Sequence, residues 1–357
     1  MMYPEVGLRV HFKMKIYNKA AVLEKFNSRL KFHKYLVPSV KKGQVLIKIS
    51  LASICRSQIM EIEGKRNTKR WLPHMLGHEA VGEVIDFHKS CKKFKKGEKV
   101  IATWIDGKGL KSSGGHINLK NKKINYGPIT TFSKYALISE NKLVKKPKIL
   151  KNNIAPFFGC AALTGMGIIY NEAKPKKNET ILLIGLGGIG FFSIIGLFSK
   201  GIQNVIVLDV NEKKREIAKK LGVKYFYNIK NLKEKMHLIN EFSGKIDLCL
   251  ENSGNNKSLE FAISMLKNDG RVYFSSHPPK NQTIKIFPHD LIKGKKIYGT
   301  WGGAAVPDRD IPRFTKIISN NFRWINCIKS RIYHFNKINK AIKDFKSGRV
   351  LRPVIKF

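Results

Sequence analysis

The 357-residue sequence predicts an α/β protein in which a doubly wound parallel sheet is joined to a smaller β-rich domain. Three features carry that expectation. A short apolar run at residues 180–184 leads straight into a glycine-rich turn; apolar runs and helical stretches then alternate as far as residue 275; and about the first 160 residues read as short extended runs broken by glycines.

Residues 45–52, 82–87, 99–104 and 135–139 are the expected strands of the β-rich part. Residues 180–184 have the β-branched and aliphatic make-up of a strand buried on both faces. The turn Gly185-Leu186-Gly187-Gly188-Ile189-Gly190 follows, and then an apolar stretch of helical length to Lys200. In such a G-x-G-x-x-G pattern the glycines permit a tight turn and close approach of a pyrophosphate, whose charge sits at a helix N-terminus. Residues 204–208 read as a second strand ending in Asp209, 19 residues beyond Gly190, where an acid meets the ribose hydroxyls of a dinucleotide. Expected helices at 212–221, 232–242 and 258–266 then alternate with strands at 225–227, 246–250 and 271–275.

Lys and Arg number 68 against 25 Asp and Glu, a net charge of +43, on a chain that is 43% hydrophobic. That hydrophobic content indicates a folded chain, not a disordered polycation. Lysine is scattered among abundant Asn and Ile, residues with A/T-rich codons, so composition bias accounts for the charge better than a nucleic-acid stripe does. A basic surface still favours acidic ligands. Cys55, Cys91, Cys160, Cys249 and Cys327 are odd in number and widely spaced, which argues for a reducing, cytoplasmic setting over a disulfide scaffold. The opening residues lack the apolar run of a secretory signal. Residues 180–199 carry no charge over 20 residues, but their central glycines favour strand, turn and buried helix over a membrane span.

Three further segments carry chemistry: Cys55-Arg56-Ser57, Gly77-His78-Glu79 and Gly159-Cys160-Ala161. Two thiols and an imidazole far apart in sequence are the set that binds a catalytic zinc with a fourth position open.

In their order and spacing these motifs resemble the medium-chain, zinc-dependent alcohol and polyol dehydrogenases, over nearly the whole chain from Met14. The resemblance implies a GroES-like catalytic domain at 14–164, completed by 301–357, a Rossmann NAD-binding domain at 165–300, and an extra segment at 1–13. It implies Cys55, His78 and Cys160 as ligands of one catalytic zinc, Glu79 beside the metal and Ser57 as the group that passes on the alcohol proton. Arg56 and Arg352 would hold the pyrophosphate, Asp209 and Lys214 the ribose, and Thr164 and Ile189 would flank the nicotinamide. Gly185, Gly187, Gly188 and Gly190 would form the cofactor turn, and Trp104 would line the substrate pocket. A homodimer or homotetramer joined through the cofactor domains is also implied. The readings weighed against it are a basic nucleic-acid-binding protein on a retained dehydrogenase fold and a metal-free reductase of the same superfamily; neither has a use for the complete ligand set.

Three positions depart from the family pattern. Gln58 stands where many relatives have Asp, Met60 where some have the histidine that ends the proton relay, and residues 104–131 contain no cysteine, so no structural zinc is expected. Residues 106–128 carry Lys108, Lys111, His116, Asn118 and Lys120, which are expected to reach the pocket mouth and favour a polar, polyhydroxylated or anionic alcohol. Neither Val210 nor Asn211 offers a cation for a 2′-phosphate, which predicts NAD over NADP.

Overall fold

All four side chains of the strand Ile181–Ile184 are buried, because it lies inside a six-stranded, all-parallel sheet. The computed structural model describes residues 15–66, 68–119, 121–279, 282–320, 322–328 and 330–357; the segment 1–13 and Lys120 lie outside them. Across the sheet the strands run Tyr225–Asn228, Val205–Asp209, Ile181–Ile184, Ile246–Glu251, Leu266–Phe274 and Lys296–Gly299. The chain leaves Ile181–Ile184 to one side and later returns on the other, so a crevice opens at the carboxyl ends of Ile181–Ile184 and Ile246–Glu251.

The helix Gly188–Ser199 is apolar all round because it is covered all round. It packs on the sheet and against the helix Ala161–Gly167, where a Cβ on Gly165 would lie 2.4 Å from the Ile189 carbonyl oxygen. That contact explains the uncharged 20-residue run. Among the described residues, no helix is long and apolar enough to cross a membrane.

The remaining strands form a five-stranded sheet and a seven-stranded one. Gln44–Ser53 is central to the second, pairing with Ala80–Phe87, Tyr135–Ser139 and the C-terminal strand Arg352–Lys356. The last residues of the chain therefore complete the first domain. Most expected elements lie within two residues of their predicted bounds. The strand expected at 271–275 begins earlier, at Leu266, and the preceding helix stops at Met265, with Asp269 turning through a positive φ of 61°. The stretch expected as one helix at 212–221 opens with a 3-10 turn, Glu212–Lys214, capped by the Asn211 side chain.

The segment 106–128 departs most from expectation. Its second half is a hairpin, Gly115–Leu119 with Lys122–Tyr126, whose first strand is the outer edge of the five-stranded sheet. Ile117 points inward and His116 and Asn118 face solvent, the period-two alternation of an edge strand. Lys111 pairs with Asp106 at 3.6 Å, and the Lys108 backbone N–H donates to Asp308 at 2.7 Å. His116 and Asn118 thus belong to a solvent-facing sheet edge, away from the line of cations expected there, while Lys111 is paired with Asp106 and the Lys108 main chain is tied to Asp308 on the helix Pro307–Ser319.

Buried Glu140 holds that loop. Its two oxygens accept the backbone N–H groups of Lys92, Lys93 and Leu110 at 2.8, 2.9 and 2.8 Å. Leaving three N–H donors without their acceptor costs far more than an exposed substitution. Glu140→Ala is expected to lower stability by about 3 kcal/mol, read as a fall in the urea midpoint at unchanged m-value, with Glu140→Gln intermediate.

Candidate metal centre and nucleotide crevice

Three chain segments bring the thiols, imidazole and carboxylate together. Cys55 ends the connection from strand Gln44–Ser53 and caps the helix Arg56–Ile62. His78 and Glu79 lead into strand Ala80–Phe87 after Gly77, whose φ of 96° and 2.3 Å clearance to Thr131 Oγ1 exclude a side chain. Cys160 follows Gly159, where a Cβ would lie 2.2 Å from the Ala102 carbonyl oxygen and 2.9 Å from Glu79 Cβ. That absent side chain lets the Cys160 segment lie directly on Glu79.

Ligand atoms of Cys55, His78, Glu79 and Cys160 all lie within 4.8 Å of one another, and no other such group exists among the described residues. The two sulfurs are 3.9 Å apart. A tetrahedral zinc with Zn–S bonds of about 2.3 Å holds its sulfurs roughly 3.8 Å apart, so the donors fit the ion. His78 Nε2 and Glu79 Oε2 are buried and have no hydrogen-bond partner, as ligand atoms facing a metal would be. Glu79 Oε1 is ion-paired with buried Arg352. The hydrogen bond from Cys160, together with His78 and Arg352, holds the Cys55 thiol well below its ordinary range despite burial. Cys160, facing that thiolate, is held well above it. Burial pushes Glu79 up to about 7 in spite of Arg352.

The Gly-rich turn lies next to this cluster. Gly185 has a φ of 92°, a Cβ on Gly190 would lie 2.3 Å from the Gly185 carbonyl oxygen, and Gly187 opens onto free space where a phosphate can approach. Arg352, expected at the pyrophosphate, joins the two sites: its Cδ would be 2.8 Å from a Cβ on Gly188 while its guanidinium holds Glu79. Arg56 is exposed on the first turn of its helix. Buried Asp209 accepts from the Leu186 N–H, the Asn211 N–H and Lys214 Nζ at 2.8, 2.9 and 2.8 Å, so it fixes the turn and the lysine together. Gly165, next to Thr164, lies directly against the Ile189 carbonyl, so the two helices that carry Thr164 and Ile189 touch there.

On the substrate side, Ser57 Oγ and Trp104 Nε1 are buried without partners. Trp104 packs edge-on against Trp301 at 5.2 Å, and Trp301 against His277 at 5.3 Å. Trp301 and His277 were not expected from the sequence. The available signal is that His277 follows the parallel strand Leu266–Phe274, at whose carboxyl end ligands bind. Glu61 and His74, 3.5 Å apart, were also missed; burial raises the Glu61 carboxyl and holds His74 down at about 4.

Two models of known families match the chain: "Alcohol dehydrogenase GroES-like domain" over residues 41–148 and "Zinc-binding dehydrogenase" over residues 188–320. Alcohol dehydrogenase-like 3 of Arabidopsis thaliana is 26% identical, covering 94% of this chain and 95% of that protein. Alcohol dehydrogenase 2 of Oryza sativa subsp. japonica is 25% identical, covering 95% and 97%. Benzyl alcohol dehydrogenase of Acinetobacter calcoaceticus has the same fold, with a TM-score of 0.85 at 22% identity, covering 96% of this chain and 99% of that one. An alcohol dehydrogenase zinc-binding domain protein of Burkholderia ambifaria also gives 0.85, at 21% identity and the same coverage.

Gln58 generates a prediction. Its Oε1 accepts the Cys55 N–H at 2.9 Å and its Nε2 meets His78 Nδ1 at 2.5 Å. Donating into Nδ1 places the ring proton on Nε2, the nitrogen a metal needs. Either way round, one amide offers a single acceptor to two N–H groups, where a carboxylate offers two. Gln58→Asp is expected to tighten zinc binding about tenfold or more, measured by chelator competition, and metal analysis is expected to find one zinc per chain.

Proposed function

The chain belongs to the zinc-binding medium-chain dehydrogenases, and from that premise we propose that it transfers hydride between NAD and a small polar alcohol, with one zinc at Cys55, His78 and Cys160. The convergence of four ligand atoms within 4.8 Å, beside a glycine turn that shares Arg352 with them, carries this reading. When bound, the metal supplies Lewis-acid chemistry that eases loss of the hydroxyl proton.

This chain's own residues arrange the rest. Ser57, whose Oγ is buried and unpartnered, would accept that proton on its oxygen while giving up its own hydroxyl proton to the next acceptor. Met60 cannot carry it onward, so it leaves through a ribose hydroxyl or water. Arg352 holds Glu79 in place and rests against the first turn of the cofactor helix. Thr164 and Ile189 form the wall for the nicotinamide, and Trp104 turns an N–H donor and an aromatic face towards the alcohol. The odd number and wide spacing of the five cysteines support a reducing, cytoplasmic setting.

We read the assembly as a homodimer through the parallel sheet. Lys296–Gly299 is its edge strand, with Tyr298 exposed, and Phe287, Leu291 and Ile292 are exposed just before it. An apolar edge of this kind invites pairing with a second copy.

Two outcomes follow. Asp209 accepts from a ribose diol and repels a 2′-phosphate, so kcat/KM is expected to favour NAD over NADP by at least about a hundredfold; a preference for NADP would overturn the assignment. Phe287→Asp combined with Ile292→Asp is expected to give monomers in sedimentation velocity at unchanged far-UV circular dichroism.

A further inference from the structure

Away from the metal cluster, strands Tyr17–Leu23 and Lys31–Leu36 pair antiparallel at the edge of the five-stranded sheet. Residues directly opposite one another share a face: Tyr17 with Leu36, Lys19 with Lys34 and Ala21 with Phe32 on one, Asn18 with Tyr35, Ala20 with His33 and Val22 with Lys31 on the other. The two faces differ. On the second, Asn18, Ala20, Val22 and Tyr35 are buried, and the cations Lys31 and His33 share Glu24. On the first, Lys19 and Lys34 are both exposed and neither meets an acid among the described residues. Like charges set directly opposite on a sheet destabilise the pairing. Lys19 leans away from its partner, its Nζ 4.4 Å from the centroid of the Phe32 ring, and Phe32 in turn packs edge-on against Phe335 at 5.2 Å. At the open end of the same face Tyr17 is 76% exposed and Leu36 opposite it 44%. An open ring beside two opposed ammonium groups without an acid is the pairing of stacking surface and phosphate contact by which unpaired nucleotides are held. A small free anion would use the lysines and leave the ring unused; an unpaired strand uses both.

We propose that this face is a docking surface for single-stranded nucleic acid, bound without sequence preference, with a base stacked on Tyr17 beside Leu36 and the adjoining phosphate held between Lys19 and Lys34. Tyr17 and Lys19 lie two residues apart on one strand, roughly 6.5 Å, so one strand meets both a base and a neighbouring phosphate. The net charge of +43 attracts any polyanion in a general way; this face adds a localised contact to that attraction. The inference stands beside the dehydrogenase reading and does not depend on it.

The test is fluorescence anisotropy of the full chain with labelled oligo(U), oligo(dT) and a DNA duplex over a range of salt concentrations. At physiological salt at least one single strand is expected to bind with a Kd below about 10 μM. Tyr17→Ala is expected to weaken single-strand binding about fivefold or more at unchanged salt slope, and to leave duplex binding as it was. Lys19→Gln combined with Lys34→Gln is expected to reduce the slope of log K against log salt by about 1.4. Lys34→Gln alone keeps the contact of Lys19 with Phe32; it is expected to reduce the slope by about 0.7 and to raise the thermal midpoint, which separates lost binding from lost fold. Lys224→Gln combined with Lys257→Gln removes two exposed charges from the parallel-sheet domain and is expected to change neither affinity nor slope. Absence of single-strand binding, a Tyr17→Ala protein that binds as well as wild type, or an equal loss in the Lys224 and Lys257 variant would overturn the proposal. Phosphatidylserine vesicles bound through Lys19 and Lys34 while oligo(U) and oligo(dT) stay free would overturn it as well, in favour of a lipid surface.

Discussion

A buried thiolate and a buried carboxylate next to one another are unstable unless a cation shares their pocket, and here that cation is Arg352. It is 3% exposed, ion-paired to Glu79, and close enough to favour the charged form of Cys55. Removing one member of a buried pair of this kind is far more damaging than losing a surface contact, because the other charge is left without compensation. Much of the site's construction serves to assemble this set: glycines at 77 and 159 let main chains approach, and the strand Arg352–Lys356 runs beside Gln44–Ser53 so that Arg352 arrives next to Cys55.

The parallel-sheet domain was the most legible part of the sequence because its signals are local. A run of buried aliphatics, a turn that only glycine satisfies at Gly185, and an acid at Asp209 lie within a few tens of residues and appear in order. The cluster of Cys55, His78 and Cys160 was legible only as a set, since each alone is an ordinary core residue. What was not legible is pairwise and distant. Nothing near Glu140 announces that it receives N–H groups from Lys92, Lys93 and Leu110, and nothing near Arg352 announces Glu79. The hairpin at 115–126 was not legible for a related reason: a charge run gives no direction, and only the sheet register shows that His116 and Asn118 face solvent.

The excess of cations is accommodated by sharing. Glu24 alone meets Lys31, His33 and Lys122 at 3.0, 3.0 and 2.6 Å, and hydrogen bonds from Lys122 and Lys31 hold its carboxyl down at about 2. Isolated pairs of this sort at a surface contribute little each, but placing an acid among several lysines relieves local repulsion where strands and loops meet. At this junction one carboxylate thus serves three cationic side chains.

The C-terminal strand has a consequence for the order in which the molecule is made. The parallel sheet draws only on residues 181–299, a continuous stretch that can close on itself as soon as it has been synthesised. The first domain cannot, because Arg352–Lys356, a strand of its principal sheet, comes after the whole parallel-sheet stretch. At about 5–20 residues per second, Cys55 waits roughly 15 to 60 seconds on the ribosome before Arg352 exists to neutralise its surroundings. The parallel sheet therefore closes within one continuous stretch, whereas the thiol of Cys55 meets its balancing cation only when segments on either side of that stretch come together.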